Sequence, residues 1–139
     1  MYLDSCVLAK LLVAESDSEA CASKVGGSVL VSSELSHGEV FSMLLRKERE
    51  KQITQTQREA AWAEFERMLA EQILFLAVLD GTIARMVKDV MLEVHPYVAL
   101  RTLDAIHLAT YQSVLTGPLF THDKRLRAAA RLLEIPLVE

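Results

Sequence analysis

The chain has two cysteines, three prolines and five glycines in 139 residues, and only 6% of its side chains are aromatic. Each scarcity excludes something. Cys6 and Cys21 cannot build a disulfide framework, and their spacing matches no zinc or redox motif, so both are expected as reduced, partly buried thiols. The few prolines and glycines form no linker or low-complexity tract. No apolar run approaches the ~20 residues that a membrane span needs. Strand-like residues begin at Met1, ahead of any charged leader, so the expected location is the cytoplasm. A Walker A loop, GxGxxG, HExxH and a nucleophile elbow are all absent. The net charge of −4 argues against a broad basic surface for sequence-independent nucleic-acid binding. It leaves room for a nuclease, because acids gathered around a metal weigh on the same total.

What is present is a rather apolar globular composition, 51% hydrophobic and 24% charged with a mean hydropathy of +0.22. A chain of this length buries a core without covalent staples, and residues 1–139 are expected to form a single domain. Short apolar runs alternate with helical patterns. Met1 to Leu3 reads as a strand, followed by Asp4, a helix-capping Ser5 and a helix to about Ala14. A short helix restarts at Ser16 or Ser18 and ends at Gly26 and Gly27. Val29 to Val31 reads as a strand covered on both faces, and Ser32 and Ser33 offer caps to a helix reaching Lys47. Thr54 or Thr56 opens a helix with Ala61, Phe65, Met68 and Leu69 on one side. Ile73 to Val78 is another strand, and Asp80 caps a helix that Pro96 closes. Thr102 opens a helix with almost no polar face, which should be buried in the middle of the fold. Leu119 to Thr121 forms a strand, Asp123 begins the last helix, and Pro136 to Val138 forms a terminal edge strand. The alternation implies an α/β fold, a mostly parallel sheet sandwiched between helical layers.

Four acids stand out. Asp4 lies at the carboxyl end of the first strand, where open α/β sheets build their crevices. Glu39 falls on the inward stripe of its helix, between Leu35 and Met43. Asp104 sits among apolar neighbours in the most hydrophobic helix, where an ionised carboxylate costs several kcal/mol unless a cation or donors compensate. Asp123 begins a helix. Each has a plain explanation alone: a turn residue for Asp4, a helix-dipole acid for Asp104, an N-cap for Asp123. Glu34 is expected to be a first-turn acid facing solvent. Together, four carboxylates at strand ends would repel by ~4 kcal/mol per pair at about 4 Å with an effective dielectric near 20. Such a cluster calls for a cation. All-oxygen ligands point to Mg²⁺ or Mn²⁺ rather than zinc, and a hard dication with water is the machinery for hydrolysing a phosphodiester. The histidines share no ligand spacing, and His107 is expected to pack in the core or to hydrogen-bond Asp104, one turn away.

Four segments in order, YLDSCVLAKLL, SSELSHGEVFSML, LRTLDAIHLAT and FTHDKRLRAAA, give the sequence a resemblance to the PIN domains, specifically to the VapC-type toxins of type II toxin–antitoxin systems. It covers essentially the whole chain and implies a three-layer α/β/α sandwich. The family's metal-binding, catalytic acids fall on Asp4, Glu39, Asp104 and Asp123, and Ser5 and Thr121 would support them through hydroxyl contacts. The resemblance also implies Mg²⁺-dependent endoribonuclease activity on structured RNA such as tRNA or rRNA, a homodimer, and inhibition by a cognate antitoxin whose basic tail lies near the acids. Cys6 departs from the small residue usual at its position. Lys10, Arg46, Lys47, Lys124 and Arg125 are candidates for guiding RNA into an acidic mouth.

Other classes predict other residues. A receiver domain needs an acid pair after the first strand and a phosphoacceptor ending the third, whereas Leu3 precedes Asp4 and Asp80 lies past the strand. A haloacid-dehalogenase-like phosphatase needs Asp-x-Asp, and residue 6 is Cys. A non-toxin PIN nuclease in RNA processing and a catalytically silent acidic module binding a partner's basic tail remain as alternatives.

Overall fold

A computed structural model describes residues 1–114 and 116–139. In chain order the elements are β1 (Tyr2–Leu3), α1 (Ser5–Leu12), α2 (Ser18–Val25), β2 (Leu30–Ser33), α3 (Leu35–Arg49), α4 (Gln55–Ala70), β3 (Leu74–Ala77), α5 (Gly81–Val94), α6 (Thr102–Val114), β4 (Leu119–Phe120) and α7 (Lys124–Leu132). The strands form one sheet in the order β3-β2-β1-β4. Every pairing among the described strands is parallel, so the sheet exceeds the expected "mostly parallel". Helices cover both faces, giving the α/β/α sandwich.

Strand alternation divides the core. Tyr2 and Leu119 turn to one face and pack with α5, α6 and α7 through Ile83, Val90, Leu108 and Leu126. Their neighbours Leu3 and Phe120 turn to the other and pack with α1, α3 and α4 through Leu8, Val40, Leu44 and Phe65. Two residues of β1 thus anchor both layers, and Tyr2, Leu3 and Leu119 are wholly buried.

Several boundaries differ from the sequence expectation. Asp4, not Ser5, caps α1, accepting a hydrogen bond from the Val7 amide at 2.8 Å. β2 runs on through Ser32 and Ser33 and excludes Val29, which is 63% exposed. Neither serine is the N-cap of α3; Ser32 Oγ instead donates to the Leu3 carbonyl at 2.7 Å, tying β2 to β1. β3 is an edge strand with Phe75 44% exposed. A continuous apolar run reports stickiness but not position in the sheet. The C-terminal strand shrinks to one parallel bridge between Leu119 and Leu137. α6 is buried from Ala105 to Tyr111 apart from half-buried Ile106, but its first turn emerges and Leu103 is 48% exposed. That emergence opens a pocket. No helix among the described residues is long and apolar enough to cross a membrane.

Candidate active site

β1 has β2 on one side and β4 on the other. The chain therefore reverses its direction of winding beside β1, and at such a switch point the connections leaving the strands' carboxyl ends part to leave a crevice. Asp4 stands there as the cap of α1. Glu39 comes from the second turn of α3, Asp104 from the first turn of α6 and Asp123 from the N-cap of α7. All four line one pocket of about 240 Å³, with Ser5, Cys6, Ser42, Met43, Leu103, His107 and Leu126 completing its wall. A larger hollow of about 550 Å³ lies along α5 and the following loop, but its lining is apolar except for Lys88 and His95 and contains no carboxylate.

The acids are held differently. Asp4 is 4% exposed, with Oδ1 on the Val7 amide and Oδ2 accepting from Thr121 Oγ1. Thr121 Oγ1 also accepts from the Asp123 amide at 3.0 Å, so one hydroxyl fixes two of the acids relative to each other. Burial raises the Asp4 carboxyl above the usual carboxylate range and the Asp123 charge adds to this; hydrogen bonds offset only part. Asp104 is raised by burial and again by Asp123, against the Arg101 amide, which donates to it at 3.3 Å, and the nearby arginines. Asp123 uses Oδ1 to accept from the Arg125 and Leu126 amides at 2.7 and 3.0 Å. Capping thus engages one of its two oxygens.

Glu39 is held by a polar network that the sequence did not reveal. Its Oε2 accepts from Ser5 Oγ at 2.5 Å and lies 2.9 Å from His107 Nε2. His107 Nδ1 lies 3.0 Å from the Tyr2 hydroxyl, and Ser5 continues through Ser36 at 3.0 Å to Ser32 at 2.6 Å. Burial alone would raise Glu39, but the hydrogen bonds from His107 and Ser5 win and keep it below its ordinary value. With its proton on Nε2, His107 donates to Glu39 and accepts from Tyr2, whose hydroxyl burial keeps protonated. His107 is buried as expected, but its partner is Glu39 and not Asp104. Sequence distance hid the pairing, since the two lie 68 positions apart. A faint signal existed in Ser32 and Ser36, polar residues at the end of β2 and the start of α3 that lead into the stripe carrying Glu39.

The PIN domain profile matches residues 1–132. The chain belongs to the PIN-domain family. It is also 36% identical over 141 aligned positions to ribonuclease VapC46 of Mycobacterium tuberculosis, covering 99% of this chain and 95% of that protein. This PIN domain is of the VapC type.

The basic residues expected to guide RNA into this PIN domain separate into two groups. Lys10 is ion-paired with Asp17, and Lys47 with Glu15 at 2.5 Å. Arg46 and Lys124 are exposed. Arg125 reaches Asp104 Oδ2 at 3.8 Å, placing a guanidinium at the mouth. Cys6 is exposed on the rim, against the expectation of partial burial, and Cys21 is buried. Desolvation on its pocket-facing side pushes the Cys6 thiol up to about 11, with the charges of Asp4, Asp123 and Glu39 adding to it. Glu34 is exposed as expected, yet its Oε2 accepts from the Leu79 amide at 2.9 Å, tying α3 to the end of β3.

Proposed function

We propose that this VapC-type PIN domain is a Mg²⁺-dependent endoribonuclease, the toxin of a type II toxin–antitoxin pair, that hydrolyses phosphodiester bonds in structured RNA such as tRNA or rRNA. The observation that carries the reading is the convergence of four carboxylates from four separate elements on one pocket. The likeness to a protein named a ribonuclease supports it.

The donor set fits a hard dication. The described polar groups on this wall are oxygen donors apart from His107, whose Nε2 is engaged by Glu39, and Cys6, whose thiol is pushed up to about 11 and so stays protonated at neutral pH. Burial and mutual repulsion also disfavour the charged forms of Asp4 and Asp104, a penalty that a cation relieves. Asp4, Glu39, Asp104 and Asp123 would hold Mg²⁺ or Mn²⁺. When bound, such an ion supplies Lewis acidity toward phosphoryl oxygens and lowers the pKa of water.

The chain's own residues do the rest. Thr121 fixes Asp4 against the Asp123 backbone, and Ser5 with His107 keeps Glu39 ionised and aimed. Arg46, Lys124 and Arg125 meet the RNA backbone, while Lys10 and Lys47 would first have to leave their ion pairs. Arg125 beside Asp104 is a guide to how a basic antitoxin tail would engage the same acids. The whole chain, 1–139, works as one cytoplasmic domain and pairs as a homodimer.

RNA cleavage by purified protein tests this directly. Activity should require Mg²⁺ or Mn²⁺, stop in EDTA and vanish in Asp4→Asn and Asp104→Asn variants that keep the wild-type circular dichroism. Cleavage at the wild-type rate by either variant overturns the assignment. Metal-dependent cleavage without growth inhibition on expression favours a processing nuclease over a toxin, and binding of basic peptides without cleavage favours a silent acidic module.

A further inference from the structure

A second group of potential ligands lies outside the acidic pocket. Asp17, the cap of α2, and Cys21 are one helical turn apart, joined by a backbone hydrogen bond from the Cys21 amide to the Asp17 carbonyl at 3.0 Å. That spacing turns both side chains to the same side of a helix. His122, from the β4–α7 connection, comes to meet them. One ligand atom from each of the three lies within 4.8 Å of the others, and none of the three lines the acidic pocket.

Two of the three ligands already stand at the separation of a tetrahedral metal centre. Cys21 Sγ lies 3.5 Å from His122 Nε2. With metal–sulfur and metal–nitrogen bonds of roughly 2.3 and 2.0 Å at a tetrahedral angle, sulfur and nitrogen stand about 3.5 Å apart. The Asp17 carboxylate lies on the other side of the ring, with Oδ2 4.0 Å from Nδ1. To share an ion bound at Nε2 the carboxylate must swing toward the Cys21 side of the ring, and its 37% exposed side chain and the 39% exposed His122 have the room to do so. Lys10 pairs with Oδ2, and a carboxylate has a second oxygen to offer. Cys21 is 1% exposed and forms the floor.

We propose that Asp17, Cys21 and His122 form a site for a thiophilic divalent ion of the Zn²⁺ class, distinct from the acidic pocket. Thiolate, imidazole and carboxylate together select such an ion over Mg²⁺ and leave a fourth position for water. Occupancy clasps α2 to the connection on which His122 stands between Thr121 and Asp123, so it rigidifies the segment that presents Asp123. The inference is independent of the ribonuclease reading.

Co²⁺, which takes the same coordination and is coloured, provides the test. Full-length reduced protein in excess Mg²⁺ should develop a sulfur-to-cobalt charge-transfer band that saturates at one ion per chain, releases a proton from the thiol and is bleached by Zn²⁺. The band should persist in Cys6→Ser and disappear in Cys21→Ser. In His122→Ala, an exposed position where folding is not at stake, affinity should fall about tenfold or more. No band in the wild type at stoichiometric cobalt overturns the site. So does a band that survives in Cys21→Ser or is lost in Cys6→Ser, or an unchanged affinity in His122→Ala. RNA cleavage does not enter any of these readouts, so failure here leaves the acidic pocket's assignment standing.

Discussion

Replacing Asp4 by Asn tests the pocket's electrostatics, because the metal-free and metal-loaded proteins should respond with opposite signs. Asn caps a helix about as well as Asp, so its Oδ1 keeps the Val7 hydrogen bond. What is lost is the charge. Desolvation of the charged Asp4 is the largest penalty, and the charge of Asp123, which is exposed and screened, adds a smaller one. Against these stand the charge-assisted bonds from Thr121 and Val7, each worth about 1.5 kcal/mol. Because the Asp4 carboxyl is raised in the folded protein, the penalty exceeds the bonds, and removing the charge should stabilise metal-free protein by about 1 kcal/mol. For a chain of this size that is roughly 3–5 °C in Tm. In Mg²⁺ at a hundred times its Kd the wild type gains about 2.7 kcal/mol, the variant much less, and the order of melting reverses. Differential scanning fluorimetry in EDTA and in a Mg²⁺ series measures both limbs. An Asn variant that melts no higher than wild type in EDTA, with equal Mg²⁺ shifts in both, would refute a strained acid cluster.

Asp4 and Asp104 have raised folded-state values, so they bind protons more tightly folded than unfolded, and the stability they withhold at neutral pH returns as pH falls through those values. Metal-free protein should therefore gain stability to urea on mild acidification, an effect absent from a protein with Asn at both positions. Glu39, held low, contributes in the opposite sense and is lost only as pH drops through its depressed value. His107→Leu should leave Glu39 and the Tyr2 hydroxyl short of partners, costing about 2 kcal/mol and shifting the Mg²⁺ dependence of cleavage to higher concentrations; unchanged metal dependence would reduce His107 to packing. Thr121→Val removes the hydroxyl shared by Asp4 and the Asp123 amide, and should lower kcat more than it changes far-ultraviolet circular dichroism. Phe120→Ala, emptying a buried site under α1 and α4, should cost about 3–5 kcal/mol as read by urea denaturation.

The sequence alone determined the alternation of strands and helices, because period-2 and period-3.6 apolar patterns and their caps are local properties of the chain. The start of α4 at Thr54, one of the two threonines that could open it, and the cap of α5 at Asp80 were legible for that reason. The acids drew attention because charge among apolar neighbours is costly wherever the chain folds. Tertiary structure decided what lies beside what. It made β3 an exposed edge, paired His107 with Glu39 across 68 positions and brought His122 to Cys21 across 101. None of these follows from local pattern, since an imidazole's partner is set by the sheet order and the crossovers that deliver it. The same topology gathers Asp4, Glu39, Asp104 and Asp123 around one cavity, where burial and mutual repulsion, which no single residue carries in its sequence context, make the site receptive to a cation.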